Sequence, residues 1–122
     1  GSKYGDRLDG IEAAIISDDK KSEVANSIKE GKNVKDATVT ITGKIIYIRI
    51  AFEAGADLDT SKSIAIKSLE QFSEEEKKFY DVHFTLVSEK TDTNEGFTIM
   101  GAKNVNGTNL IWNNNNTVSD GE

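Results

Sequence analysis

Tyr47, Arg49, Asp81, His83 and Thr85 carry most of the chemistry that this sequence offers. They fall at alternate positions of two apolar-polar stretches, and alternate positions of an extended strand share a face. If the two strands are neighbours, the five side chains form one patch. A guanidinium there can grip a carboxylate and a phenol ring can stack on a partner. The plainer reading is a solvated sheet face with ordinary cross-strand pairs, such as Arg49 with Asp81. We therefore take the five as candidate binding residues and assign no catalytic residue. His83 is the only histidine, so metal centres built from several histidines are out. An imidazole is chemically fit to act as a general base. No nucleophile sits near it at a recognisable spacing, however, and Ser88 has the opposite strand phase.

Other motifs weaken on inspection. Asp57-Leu58-Asp59 and Asp92-Thr93-Asn94-Glu95-Gly96 have the look of calcium loops. The first has Lys62 where the loop glycine belongs. The second has Gly96 one place early and Lys103 where the closing acid belongs. Helix caps and turns explain both. Glu74-Glu75-Glu76 reads as the acidic first turn of a helix, favoured by the macrodipole. No glycine-rich phosphate loop, G-x-S-x-G elbow or H-E-x-x-H pair occurs. Asn106-Gly107-Thr108 and Asn115-Asn116-Thr117 match the glycosylation sequon, a short and common pattern. No cofactor and no metal is expected.

The elements that must position the five residues follow from periodicity. Val39 and Ile41 alternate with Thr38, Thr40 and Thr42, and Gly43-Lys44 turns the chain. Ile46, Ile48, Ile50 and Phe52 then alternate with Tyr47, Arg49 and Glu53. This predicts a hairpin with one apolar and one mixed face. A third strand is predicted over about 80–89, with Tyr80, Val82, Phe84 and Leu86 inward. A fourth follows over about 96–103, where Phe97, Ile99 and Gly101 alternate with Thr98, Met100 and Ala102. The Asn106-Gly107 pair is a strong hairpin turn into a short strand at about 109–112.

Two helices are expected between these strands and before them. The first, about 19–30, has Asp18 or Asp19 as its cap, Val24, Ala25 and Ile28 on one side, and Gly31 at its end. The second, about 58–72, is capped by Asp57 or Asp59. Its stripe is Leu58, Ala65, Leu69 and Phe72, with Ile64 beside them. Ser73-x-x-Glu76 matches a capping box, so a brief extra turn is expected after it. The predicted architecture is α+β, an antiparallel sheet of four to five strands with two helices on one face, in the order α-β-β-α-β-β-(β). Residues 19–112 form its single domain. Residues 1–18 read as a poorly ordered or short N-terminal segment, and 113–122 as a disordered polar tail.

Composition bounds the partners. A chain of 122 residues buries roughly two-thirds of its unfolded surface, enough for a core without staples. Net charge is -6 and the two arginines, Arg7 and Arg49, lie far apart in sequence. Clustered cations for a phosphate backbone are missing, so nucleic acid is not an expected partner. There is no cysteine, which removes disulfides, thiolate nucleophiles and cysteine-based metal sites. No apolar run approaches the ~20 residues that span a bilayer, so direct membrane insertion is not expected of these residues. Gly1-Ser2 reads as an expression scar, leaving room for an anchor before it.

The stretch 39–87 holds the hairpin Val-Thr-Ile-Thr-Gly-Lys-Ile-Ile-Tyr-Ile, a capped helix and the strand Tyr-Asp-Val-His-Phe. It resembles small extracytoplasmic α/β domains of lipoproteins and membrane-anchored proteins of Gram-positive bacteria. The resemblance implies a location outside the cytoplasm or at the cell surface and a role in binding or assembly, with no catalytic residue carried over. The leading expectation is a non-enzymatic module that binds a protein or peptide through its open sheet face or an exposed strand edge. The alternatives are a small-molecule binder or enzyme using the open face, and a structural domain that self-associates.

Overall fold

The computed structural model describes residues 15–103 and 111–113. The chain forms helix α1 (Asp18–Lys29), strands β1 (Val34–Thr42) and β2 (Ile45–Phe52), and helix α2 (Leu58–Ser68) with a 3-10 turn at Leu69–Gln71. Helix α3 (Glu74–Phe79) and strands β3 (Asp81–Ser88), β4 (Phe97–Lys103) and β5 (Ile111–Asn113) complete it. The strands make one sheet in sequence order, β1-β2-β3-β4-β5.

The class is α+β, as expected, but the sheet is mixed and not wholly antiparallel. β1 and β2 pair antiparallel through the Gly43-Lys44 turn, as do β3 with β4 and β4 with β5. β2 and β3 run parallel, from Ile45↔Asp81 to Phe52↔Ser88. The cause is the connection between them. Residues 53–80 carry α2 and α3 back across the sheet, and a helical crossover returns the chain to the end of the sheet where β2 began. Three helices, not two, stand among the described residues. The extra turn foreseen after Ser73 is a true short helix.

Local sequence sets each helix end. Ser17, not Asp18 or Asp19, caps α1: its Oγ accepts from the Lys20 N–H at 3.0 Å. The two aspartates occupy the first turn, where negative charge opposes the helix dipole favourably. Asp57 caps α2, and its Oδ2 accepts from both the backbone N–H and the hydroxyl of Thr60, each at 2.9 Å. The backbone bond first and the hydroxyl second hold the Asp57 carboxyl below its ordinary value. At α3, Glu76 N–H donates to Ser73 Oγ at 3.1 Å while Ser73 N–H donates to Glu76 Oε1 at 2.7 Å. This is the reciprocal capping box that the S-x-x-E spacing predicted.

The helices bury their stripes on one face of the sheet. Val24 and Ile28 of α1, Ala65 of α2, Leu69 and Phe72 after it, and Phe79 of α3 form one core with Ile46, Ile48, Ile50, Val82, Phe84, Leu86 and Ile99. Ser61 and Ser68 of α2 also point inward, with their hydroxyls donated to the carbonyls of Asp57 and Ala65. Gly96 and Gly101 leave no room for a side chain. Gly96 closes the β3–β4 turn at φ +72°, where an added Cβ would lie 2.5 Å from the Ser88 carbonyl oxygen. Gly101 lies under the Trp112 ring, 2.5 Å from where its own Cβ would stand. Trp112 therefore covers β4 and reaches Phe84, with the Lys62 ammonium 5.6 Å above its ring. The Asn106-Gly107 turn and the segments 1–14 and 114–122 lie outside the described residues. β5 is described over Ile111–Asn113, and residues 104–110 lie outside the described residues.

Candidate functional site

Strand parity puts Tyr47, Arg49, His83 and Thr85 on the face that the helices leave uncovered. Their neighbours Ile46, Ile48, Ile50, Val82, Phe84 and Leu86 fill the core beneath. The register is specific. Tyr47 lies opposite Thr40 on one side and His83 on the other. The Tyr47 and His83 rings meet edge to face with centroids 5.4 Å apart, an arrangement the ring quadrupoles favour. Arg49 lies between Thr38 and Thr85.

Asp81 does not join Arg49. A parallel register pairs Asp81 with Ile45, four residues along β2 from Arg49, so the two are about 13 Å apart along the strand. The pairing of Arg49 with Asp81 expected from sequence belongs to an antiparallel arrangement pivoted on Tyr47–His83. Turning β3 end for end about that pair exchanges Asp81 for Thr85 beside Arg49. Asp81 instead acts on Lys103, where its charge favours the ammonium.

Met100 and Ile111 are the site residues that sequence reasoning missed. Met100 lies opposite Thr85, and Ile111 opposite Ala102, which is itself opposite His83. Tyr47, Met100 and Ile111 are 40%, 51% and 71% exposed. With His83, Thr85 and Ala102 they line a shallow depression of about 320 Å³. The signal for Met100 was present, because it shares its phase with Thr98 and Ala102 and not with Phe97 and Ile99. A methionine among outward positions is a surface apolar group. Ile111 had no such signal, since its phase depends on pairing with β4.

The electrostatics of this face are unusual for an acidic chain. Asp36, near its margin, pairs with Lys29 at 3.7 Å, and Asp81 is coupled to Lys103. Between them the outward positions of the described strands are threonine, alanine, isoleucine, tyrosine, histidine, valine and methionine, with Arg49 the one fixed charge. Ser88 lies on the covered face and donates to the Glu53 carbonyl at 2.9 Å. Among the described residues no group of three or more histidine, cysteine or acidic side chains could hold a metal ion. None of the described helices is long and apolar enough to cross a membrane.

A second hollow of about 310 Å³ lies on the helix side, bounded by Ser27, Ile28, Gly31, Ile64, Lys67 and Gln71.

No family model matches the chain, and no curated protein matches it. Among solved structures the chain is similar to the crystal structure of a sex pheromone staph-cAM373 precursor, with 11% identity and a TM-score of 0.46. That likeness covers 80% of this chain and 40% of the other, so the chain spans less than half of its length. Likeness at this level transfers neither activity nor partner.

Proposed function

We propose that the chain is a non-catalytic binding module that takes a protein or peptide on the open face of its sheet. The observation that carries this reading is the row Tyr47, His83, Ala102 and Ile111, with Met100 beside it. There, exposed apolar side chains sit on a rigid sheet and surround a shallow hollow. A small-molecule site would bury most of its ligand and converge several polar groups on it. This hollow is wide, shallow and mostly apolar, which suits the flank of a polypeptide. The same proposal makes the module a soluble part of an anchored or secreted protein, supported by the resemblance of residues 39–87 to extracytoplasmic domains.

The test is selection of a displayed random-peptide library against the chain, with the Met100→Glu variant as a counter-screen. A glutamate in place of a half-exposed methionine leaves the core untouched but charges the floor of the contact surface. Peptides enriched on the native chain should lose binding to the variant. Enriched peptides that hold both proteins equally would remove the open face from consideration.

A further inference from the structure

Resting on that reading, we infer that the face is specific for an extended segment bearing a side-chain carboxylate two residues from an apolar side chain. The carboxylate is received by Arg49 and the apolar group by the hollow beside Tyr47 and Met100. Charge carries the argument. Asp36 is paired with Lys29 at 3.7 Å, and Asp81 lies opposite Ile45, four residues along β2 from Arg49. Arg49 is exposed in the middle of the sheet, flanked by Thr38 and Thr85, and has no ion-pair partner among the described residues. A guanidinium with no ion-pair partner among the described residues selects a planar anion, and its fork fits a carboxylate with two hydrogen bonds. One cation without neighbours is a poor receiver for a polyphosphate backbone.

Spacing supplies the rest. Arg49 and Tyr47 are two residues apart on β2, about 7 Å, and side chains i and i+2 of an extended ligand share a face at the same interval. One ligand side chain can thus reach the guanidinium while its neighbour on the same face enters the hollow.

The experiment titrates the ¹⁵N-labelled chain with a short N-acetylated, C-amidated glycine–serine peptide. The peptide carries one leucine and one glutamate two residues apart. Blocked termini leave the glutamate as its sole anion. Amide shifts should cluster at Tyr47, Arg49, Thr85 and Met100. Replacing the glutamate by glutamine should weaken binding about threefold, the scale of an exposed ion pair. That difference should vanish against Arg49→Gln. Equal binding of both peptides, with shifts on the same amides, would overturn the carboxylate assignment while leaving the open face as the binding surface. Shifts confined to the helices or the β1 edge, or no shifts, would overturn both.

Discussion

Ile48 and Arg49 are consecutive residues of β2, yet they belong to different parts of the molecule. Ile48 is 1% exposed, packed with Ile46, Ile50, Val82, Phe84 and Leu86 beneath the helices. Arg49 stands on the other side of the same backbone, between two threonines. Most of the sheet repeats this division: aliphatic and phenyl groups dominate the inward set, and threonine, tyrosine, histidine and methionine stand outward. Stability and recognition are therefore separated by one residue of phase, not by distance along the chain. A one-residue slip in register would exchange the two sets.

The sharpest way to break the comparison is to delete apolar volume on the covered side. Ile48→Ala removes buried carbon from a position that cannot collapse freely between its strand neighbours. It should destabilise the fold by roughly 2–5 kcal/mol, read from the denaturant midpoint at constant slope. A neutral result would mean that the covered face is not the core.

Gly101→Ala asks whether the covered side extends to β5. The new methyl would stand 2.5 Å from Trp112 Cε3 and 2.6 Å from Cζ3, so the ring must move. Overpacking of this kind costs about 1–3 kcal/mol. Trp112 is the sole tryptophan, so its fluorescence reports the displacement directly. An unchanged emission maximum with unchanged stability would show that the ring does not rest on Gly101.

Lys103 complicates the division, because it is a charged residue in the covered set, 1% exposed. Its Nζ donates to the Lys77 carbonyl at 3.0 Å, near the C-terminal end of α3 where a cation is favoured. Burial pulls its ammonium below the ordinary lysine value of 10.5, while Asp81 pushes the other way. Between the folded and unfolded values the unfolded chain holds the extra proton. Stability attributable to Lys103 therefore rises with pH through that window. Tyr80, raised above 10.0 by burial and by Glu76, is common to the native chain and a Lys103→Met variant. The difference in unfolding free energy between the two should shift in favour of the native chain as pH climbs from neutral toward 10.5. A flat difference would mean that the ammonium keeps its solution affinity for protons.

Much of this was legible in the sequence, and for identifiable reasons. Inward and outward sets on β2, β3 and β4 follow from alternation alone, and the Ser73–Glu76 capping box follows from spacing. The direction of β3 relative to β2 was misread, although a long helical connection between two neighbouring strands favours a parallel pair. That error put Asp81 beside Arg49. Ser17 lost out to two aspartates because all three are good caps, and only the place where the chain leaves extended geometry decides among them. Lys103 shares the phase of Phe97, Ile99 and Gly101, so alternation did point it inward; lysines are so seldom buried that the signal carried no weight. Alternation put Gly101 in the phase of Phe97 and Ile99, but only pairing with β5 sets Trp112 above it.

The smallest expected effect is the most informative about the open face. Arg49→Ala and His83→Ala each remove an outward group whose neighbours are threonines, a tyrosine edge and an alanine. Neither opens a cavity or strands a buried polar partner, so each should change stability by less than about 0.5 kcal/mol. His83→Ala carries the additional loss of the ring contact with Tyr47, and it should sit at the upper end of that range. Chemical denaturation of both variants beside Ile48→Ala places adjacent residues of one strand on a single scale. If Arg49→Ala proved as costly as Ile48→Ala, the guanidinium would be holding the fold together and would not stand ready for a ligand.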